Sequence, residues 1–174
     1  SYILAQNKDM MIHFFLGKKN VSLVPRGVDT EEFLPKPKNR LLLEKYRIRK
    51  DEKVILTVAN LVPVKGIDIL LNAVELLSEK HNCIRTFIVG DKENDYGREM
   101  EERAEQSPHS ARIHFIGKVQ NVSDYYSIAD VFVLPTLNEG RREGCPVALL
   151  EAMACGIPVL ASAIPGIQDV LKPF

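Results

Sequence analysis

The sequence predicts an α/β protein built on a Rossmann-like, doubly wound parallel sheet. Short runs of β-branched and apolar residues alternate with longer amphipathic or charged segments along the chain. Such an alternation is typical of βαβ units with right-handed crossovers. Several of the short runs are apolar on both faces, which is typical of strands that helices cover on both sides of a parallel sheet.

Six runs have the length and composition of strands. They are VSLVP (21–25), KVILTVA (53–59), RTFIVG (85–90), RIHFIG (112–117), VFVLP (131–135) and PVLAS (158–162). Ligands of doubly wound sheets bind at the carboxyl ends of the strands. The loops at those ends are therefore the candidate site, and they span residues 61–66, 90–95, 117–121, 136–145 and 163–169.

The segments between the strands are predicted to be helices. One of them, residues 66–81, carries an apolar stripe formed by Ile67, Leu70, Leu71, Val74 and Leu77. Further helices are expected over residues 38–53, 96–106, 121–130 and 145–156. Residues 1–20 are predicted to be a lead-in helix from an interdomain region, and residues 21–174 to be the domain itself, truncated at its C-terminal end.

Composition excludes several classes of protein. The 174 residues fit one domain, and 23 basic residues balance 23 acidic ones, so there is no electrostatic footprint for nucleic acid. The three cysteines form no CxxC pair, which favours a reducing compartment and a cytoplasmic location. No apolar run approaches the length needed to cross a bilayer.

The last predicted helix, CPVALLEAMACG (145–156), has almost no polar residues. Pro146 at its start and Gly156 just past its end fit the usual asymmetry of helix termini. Its only carboxylate is Glu151. Because a lone ionised carboxylate is costly to bury, Glu151 must meet a cation, take up a proton or face a polar crevice. In a crevice it could accept two hydrogen bonds from a ribose diol.

The loop before this helix is a candidate anion site. The backbone N–H groups of Gly144, Cys145 and Val147 lie at the positive end of the helix dipole, and Pro146 has no N–H to contribute. A second carboxylate, Glu143, precedes them. The loop thus offers a diphosphate cradle between two carboxylates.

A structural interpretation of the two glutamates is also open, and on spacing alone it is the simpler one. Glu143 would then be a solvated loop charge. Glu151 would form an ion pair in the core with Arg85, Arg112 or a lysine.

Five motifs together resemble the retaining GT-B glycosyltransferases of family 4, or group 1. EGCPVALLEAMACGIPVLAS (143–162), with seven residues between Glu143 and Glu151, resembles the E-x7-E signature of that group. The other four are similar to motifs of the group and follow in the same order: VPRGVDTEEFLP (24–35), VANLVPVKGIDILLNA (58–73), FIVGDKE (87–93) and HFIGKVQNVSDYYSIADVFVLPT (114–136). The resemblance covers residues 20–174.

The resemblance implies that this chain is most of the second, donor-binding domain of a two-domain enzyme. Such an enzyme transfers a hexose from a UDP- or GDP-sugar, with retention at the anomeric carbon, to a glycan, lipid or other acceptor. The acceptor would be held by the N-terminal domain, so the fragment alone is expected to be inactive. The full protein could also lie peripherally at the inner face of a membrane. The alternative is a non-catalytic nucleotide-sugar-binding module.

The resemblance also implies residue roles. Glu151 would bind the ribose hydroxyls and Glu143 the donor sugar near the reacting centre. Lys65 would place a positive charge on the diphosphate and assist its departure. Backbone groups of residues 144–147 would hold the diphosphate, and those of Lys118 and Val119 would contact the base.

The sequence departs from the family pattern at two places. Asn60, at a donor-binding position, stands where the family most often has arginine. The loop NEGRREG (138–144) is longer than usual, so that Glu139 fits the spacing from Pro135 while Glu143 fits the spacing to Glu151. Glu143 is favoured because its register to the helix is fixed. Arg141 or Arg142 could supply the charge lost at position 60, although a solvated turn is the simpler interpretation.

No metal or other cofactor is expected. The sequence has no DxD motif that would bridge a diphosphate through a metal ion. Its four histidines, at positions 13, 81, 109 and 114, do not have ligand spacing.

Overall fold

The main body of the protein is a five-stranded parallel sheet with the strand order β5-β4-β3-β6-β7. The coordinates are a computed structural model, which describes residues 3–5, 21–23, 26–138 and 146–171. The strands are β1 (Ile3–Ala5), β2 (Val21–Leu23), β3 (Lys53–Val58), β4 (Ile84–Val89), β5 (Ile113–Gly117), β6 (Val131–Leu134) and β7 (Val159–Ala161). The order reverses between β3 and β6, so the sheet is doubly wound as predicted.

Six helices connect and cover the strands in the described part of the chain. They are α1 (Arg40–Lys45), α2 (Ile67–Lys80), α3 (Asp95–Gln106), α4 (Val122–Ile128), α5 (Val147–Ala154) and α6 (Pro165–Leu171). Short 3-10 turns lie at Pro63–Lys65 and Ser110–Arg112. The side chains of Asn39 and Asn94 accept hydrogen bonds from the first turns of α1 and α3, and so fix where these helices begin.

Hydrophobic residues pack on both faces of the sheet. One cluster joins the sheet to α4, α5 and α6 and includes the buried rings of Phe87, Tyr126 and Phe132. The other joins it to α2 and α3. The central strand β3 has four consecutive buried residues, Val54–Thr57, which explains why its sequence is apolar on both faces.

The structure corrects four details of the predicted elements. Residues 3–5 form a strand rather than the start of a helix, and the rest of the predicted lead-in helix lies outside the described residues. This strand pairs in parallel with β2, so β2 belongs to a separate two-stranded sheet and not to the main one. The predicted loop 163–169 is helical from Pro165 onwards. The charged helix over residues 38–53 is only six residues long.

A fifth correction concerns the apolar stripe of α2. Ile67, Leu70, Leu71 and Val74 are buried as predicted, whereas Leu77 is 40% exposed. The small side chain of Ser78 is buried in this turn of the helix.

Candidate functional site

The candidate site is a crevice of about 370 Å³ at the carboxyl ends of the central strands. It opens where the strand order reverses between β3 and β6, which is the usual ligand position in doubly wound sheets. Its walls come from five separate segments of the chain. The lining residues are Arg26, Val58, Ala59, Asn60, Lys65, Gly90, Leu134, Pro146, Val147, Ala148 and Glu151.

The floor of the crevice requires glycine at position 90. A methyl group on Gly90 would lie 1.8 Å from the carbonyl oxygen of Ala59, and the residue has a φ of +146°. The backbone N–H of Gly90 donates to the carbonyl of Gly117, and that of Ala59 donates to the carbonyl of Val89. These bonds hold the ends of three neighbouring strands together beneath the crevice.

Lys65 reaches the crevice from a turn that is fixed to the loop after strand β6. The turn ends at Gly66, which has a φ of +64° and would place a methyl group 2.2 Å from the carbonyl oxygen of Pro135. The backbone N–H of Leu137 donates to the carbonyl of Val64 at 2.8 Å. The position of the half-buried Lys65 is therefore set by the loop that follows β6.

The opposite wall is the first turn of α5. The first backbone bonds that close this helix run from the N–H groups of Leu149 and Leu150 to the carbonyl of Pro146. The N–H groups of Val147 and Ala148 come before these bonds, at the positive end of the helix dipole, and both residues line the crevice. This wall is suited to an anionic group of a ligand.

Glu151 is the single acidic residue among the described residues that line the crevice. Its Oε2 accepts a hydrogen bond of 2.8 Å from the phenol of the fully buried Tyr126. Burial raises the pKa of Glu151, the hydrogen bond from Tyr126 opposes this rise, and the negative charge of Glu32 adds to it. Burial, and then the charge of Glu151, raise the pKa of the Tyr126 phenol.

The structure bears on the alternatives for Glu151 that the sequence leaves open. Of the ion pairs considered for it, the one with Arg85 is not formed, because that guanidinium binds Glu52 at 2.9 Å. Within residues 26–138 and 146–171, no salt bridge to Glu151 is formed. Its carboxylate instead combines a raised pKa with a position at the crevice.

Arg26 is a site residue that the sequence analysis missed. Its side chain is exposed and lines the crevice together with Lys65. The segment that carries it is anchored by Phe33, which is buried and packs edge-on against the ring of Tyr126. Arg26 belongs to the motif 24–35, but nothing in the spacing of that motif relates position 26 to the loops after β3 and β6.

The structure brings five of the predicted site residues together. They are Asn60, Lys65, Pro146, Val147 and Glu151. Lys118 and Val119 do not line the crevice: Lys118 pairs with Asp91 at 2.8 Å, and Val119 lines a different cavity beside His114 and Tyr125. The remaining predicted positions, Glu143, Gly144 and Cys145, lie outside the described residues, as do Glu139, Arg141 and Arg142.

Neither a metal centre nor a membrane-spanning helix is found among the described residues. No group of three or more His, Cys, Asp or Glu side chains in that part of the chain is arranged to hold a metal ion. No helix there is long and apolar enough to span a membrane.

The strand order and the crevice at its reversal define a Rossmann-like domain of the nucleotide-binding type. Residues 39–174 match the family described as glycosyl transferases group 1, and the chain belongs to that family. Among solved structures, the chain is similar to Alr3699/HepE of Anabaena, crystallised with UDP and glucose, with a TM-score of 0.84 and 20% identity. That match covers 99% of this chain and 47% of the other.

Two further comparisons locate the chain within the family. It is similar to the C-terminal domain of a group 1 glycosyl transferase, LpcC, of Francisella tularensis, with a TM-score of 0.67, 21% identity and coverage of 84% of this chain and 76% of the other. It is 29% identical, over 153 residues, to a GDP-mannose-dependent phosphatidylinositol monomannoside mannosyltransferase of Mycolicibacterium smegmatis. That match covers 85% of this chain but only 40% of the mannosyltransferase. The chain therefore has the fold of the C-terminal half of a GT-B glycosyltransferase.

Proposed function

We propose that this chain is the donor-binding domain of a retaining glycosyltransferase that transfers a hexose from a UDP- or GDP-sugar. The observation that carries the proposal is the meeting of Lys65, the first turn of α5 and Glu151 around one crevice at the switch point of the sheet. The family membership supports the class of reaction. Alr3699/HepE was crystallised with UDP and glucose, and the mannosyltransferase depends on GDP-mannose. These two relatives support UDP and GDP as the candidate nucleotides of the donor.

In this proposal the polar groups of the crevice divide between two parts of the donor. The diphosphate lies between the cations of Lys65 and Arg26 and the N–H groups of Val147 and Ala148. These groups stabilise the negative charge that develops on the nucleoside diphosphate as the bond to the anomeric carbon breaks. The ribose hydroxyls donate to the carboxylate of Glu151.

Three finer parts of the proposal come from the family resemblance alone. Glu143 touches the donor sugar, Gly144 and Cys145 add backbone contacts to the diphosphate, and the backbone at Lys118 and Val119 contacts the base. The acceptor, a glycan or lipid, is bound by a second domain. This chain alone is therefore expected to bind the donor without transferring the sugar.

A non-catalytic nucleotide-sugar-binding module is the second candidate. Asn60 favours it, because the crevice has an uncharged amide where the family resemblance implies a cation. Arg26 weighs against it, because this residue brings a second cation to the same crevice from another segment.

Calorimetric titration with UDP and GDP, without added metal, tests the donor site. Wild-type protein is expected to bind one of the two nucleotides, and Glu151→Ala to bind it about tenfold to a hundredfold more weakly, because hydrogen bonds to a charged group are lost. The matched control is Glu102→Ala, which removes an exposed carboxylate of α3 that is not among the lining residues. A folded wild-type protein that binds neither nucleotide would contradict the proposal.

Catalysis is tested separately from binding. The complete protein is given the donor that the titration selects, and NMR of the anomeric proton of the product distinguishes retention from inversion. Donor binding without any transfer or donor hydrolysis would favour the non-catalytic module.

A further inference from the structure

We infer that Tyr126 is a positioning residue for donor binding, which holds the carboxylate of Glu151 from the core side of the crevice. The inference rests on the proposed function, because it assigns the role of Tyr126 through the contact of Glu151 with the ribose. Its basis is the hydrogen bond of 2.8 Å from the phenol of Tyr126 to Oε2 of Glu151.

The phenol of Tyr126 is held in one place by its surroundings. Its ring is fully buried and packs against Phe33 at 5.8 Å and Phe132 at 5.9 Å between ring centroids. Because the ring cannot shift without opening the core, the phenolic oxygen is a fixed point next to α5. Glu151 has three rotatable bonds before its carboxylate, and a fixed donor removes much of that freedom before a ligand arrives.

The hydrogen bond engages only one of the two carboxylate oxygens. Among the described residues, no donor binds Oε1 of Glu151, while Oε2 is bound by Tyr126. A ribose diol needs acceptor capacity on the carboxylate, and within residues 26–138 and 146–171 no group competes with it for Oε1. Tyr126 thus orients the group without competing with the ligand for both oxygens.

The single proton of the phenol also links the contact to the protonation of Glu151. The phenolic oxygen lies 3.1 Å from the carbonyl oxygen of Ala148 as well as 2.8 Å from Glu151. An ionised Glu151 accepts a hydrogen bond from the phenol, whereas a protonated Glu151 can donate to the phenol while the phenol donates to the carbonyl of Ala148. The ionised form is acceptor-only on both oxygens and so suits the phenol and a ribose diol together, whereas the protonated form turns one oxygen into a donor.

The charged and titratable groups around Glu151 come from four elements. Tyr126 and Glu32 face it from α4 and from the segment before α1, and Cys155 lies one turn further on, at the C-terminal cap of α5. Arg26 and Lys65 share the crevice with it. Because the hydrogen bond from Tyr126 lowers the pKa of Glu151, its removal raises that pKa further. Nucleotide binding that needs the ionised carboxylate is then lost at a higher pH.

The experiment compares nucleotide affinity in wild-type protein, Tyr126→Phe and Tyr125→Phe between pH 4.5 and pH 8. Tyr125→Phe is the matched control, because it removes a phenol from the same helix at a ring that packs on Phe87 and not beside Glu151. Tyr126→Phe is expected to bind about tenfold more weakly at neutral pH, and its acid loss of binding is expected at a higher pH than in wild type. Tyr125→Phe is expected to match wild type in both respects.

A double variant distinguishes positioning from a loss of fold. In the Glu151→Ala background, Tyr126→Phe is expected to cause no further loss of affinity, because its effect passes through the carboxylate. An equal loss in both backgrounds, or an unchanged affinity and pH profile in Tyr126→Phe, would overturn the inference. In that case a strong effect of Glu151→Ala alone leaves the proposed function standing. Absence of nucleotide binding in folded wild-type protein would instead overturn the proposed function, and the inference with it.

Discussion

The turn that carries Lys65 should fail when Gly66 is replaced by alanine. Gly66 has a φ of +64°, a left-handed conformation that costs a non-glycine residue about 1–2 kcal/mol. The added methyl group would also lie 2.2 Å from the carbonyl oxygen of Pro135, where real contacts are not shorter than 3.0 Å. Either the turn or the start of the loop after β6 must therefore move by roughly an ångström, and such overpacking costs about 1–3 kcal/mol.

These two costs add to a loss of about 3 kcal/mol in the free energy of unfolding. For a domain of this size, that corresponds to a fall in Tm of roughly 6–12 °C. The affinity for UDP or GDP should fall as well, because the shift moves the adjacent Lys65. Affinity for the nucleoside without phosphates should change much less.

Thermal unfolding followed by circular dichroism, combined with nucleotide titration, measures both effects. Gly27→Ala is the control: a methyl group there meets nothing within 4 Å, and its φ is not positive. That variant is expected to stay within about 0.5 kcal/mol of wild type. If Gly66→Ala unfolds at the same temperature as Gly27→Ala and binds nucleotide equally well, the account of this turn is wrong.

Two further predictions concern charged residues. Arg26→Ala is expected to weaken binding of the nucleoside diphosphate by about threefold to tenfold, because it removes an exposed cation from the crevice. Binding of the nucleoside should not change. Calorimetry with Arg40→Ala as the control measures both affinities, and an equal loss for the nucleoside would contradict the prediction. Glu52→Gln is expected to cost about 3 kcal/mol at pH 7, because it leaves the guanidinium of Arg85, only 13% exposed, without its charged partner. Burial acts to raise the pKa of Glu52, but hydrogen bonds from the backbone of Arg49 and from Arg85 outweigh it and lower that pKa. The stability that the ionised Glu52 contributes is therefore complete above about pH 4.3 and is lost as the pH falls through the lowered pKa. Urea unfolding at pH 7 and pH 3.5 should therefore show a smaller acid loss in Glu52→Gln than in wild type, and parallel losses would refute the assignment.

Most of the fold could be predicted from the sequence because its strands are short, continuous runs of apolar residues. β3 is buried on both faces, and its residues Val54–Thr57 leave no alternative placement at the surface. The two wrong predictions near the ends of the chain, for β2 and for residues 163–169, arise because local composition does not determine the structure there. β2 has the composition of a central strand, but composition does not say which sheet a strand joins, and here its partner is Ile3–Ala5. The helix Pro165–Leu171 begins with Pro-Gly, a pair that is more typical of turns.

The candidate site could be predicted only where its residues lie close to a strand end. Asn60 and Lys65 follow β3, and Val147 and Glu151 belong to the helix after β6, so the switch-point rule brings them together. The contact of Tyr126 with Glu151 could not be predicted in this way, because the sequence of two adjacent tyrosines on one helix does not indicate which phenol lies beside a carboxylate. Only the packing against Phe33 and Phe132 selects Tyr126 for that contact.

Arg26 and Asn60 bear on how this crevice is charged. The family resemblance implies a cation in the loop after β3, and the loop here carries the uncharged Asn60 instead. A guanidinium nevertheless lines the same crevice, from a segment that precedes β3 by more than twenty residues. A diphosphate responds to the positions of the cations around it and not to the segment that supplies them. The cation of Arg26 can therefore offset the missing cation at Asn60, and the double variant Arg26→Asn, Asn60→Arg should bind nucleotide more tightly than Arg26→Asn alone.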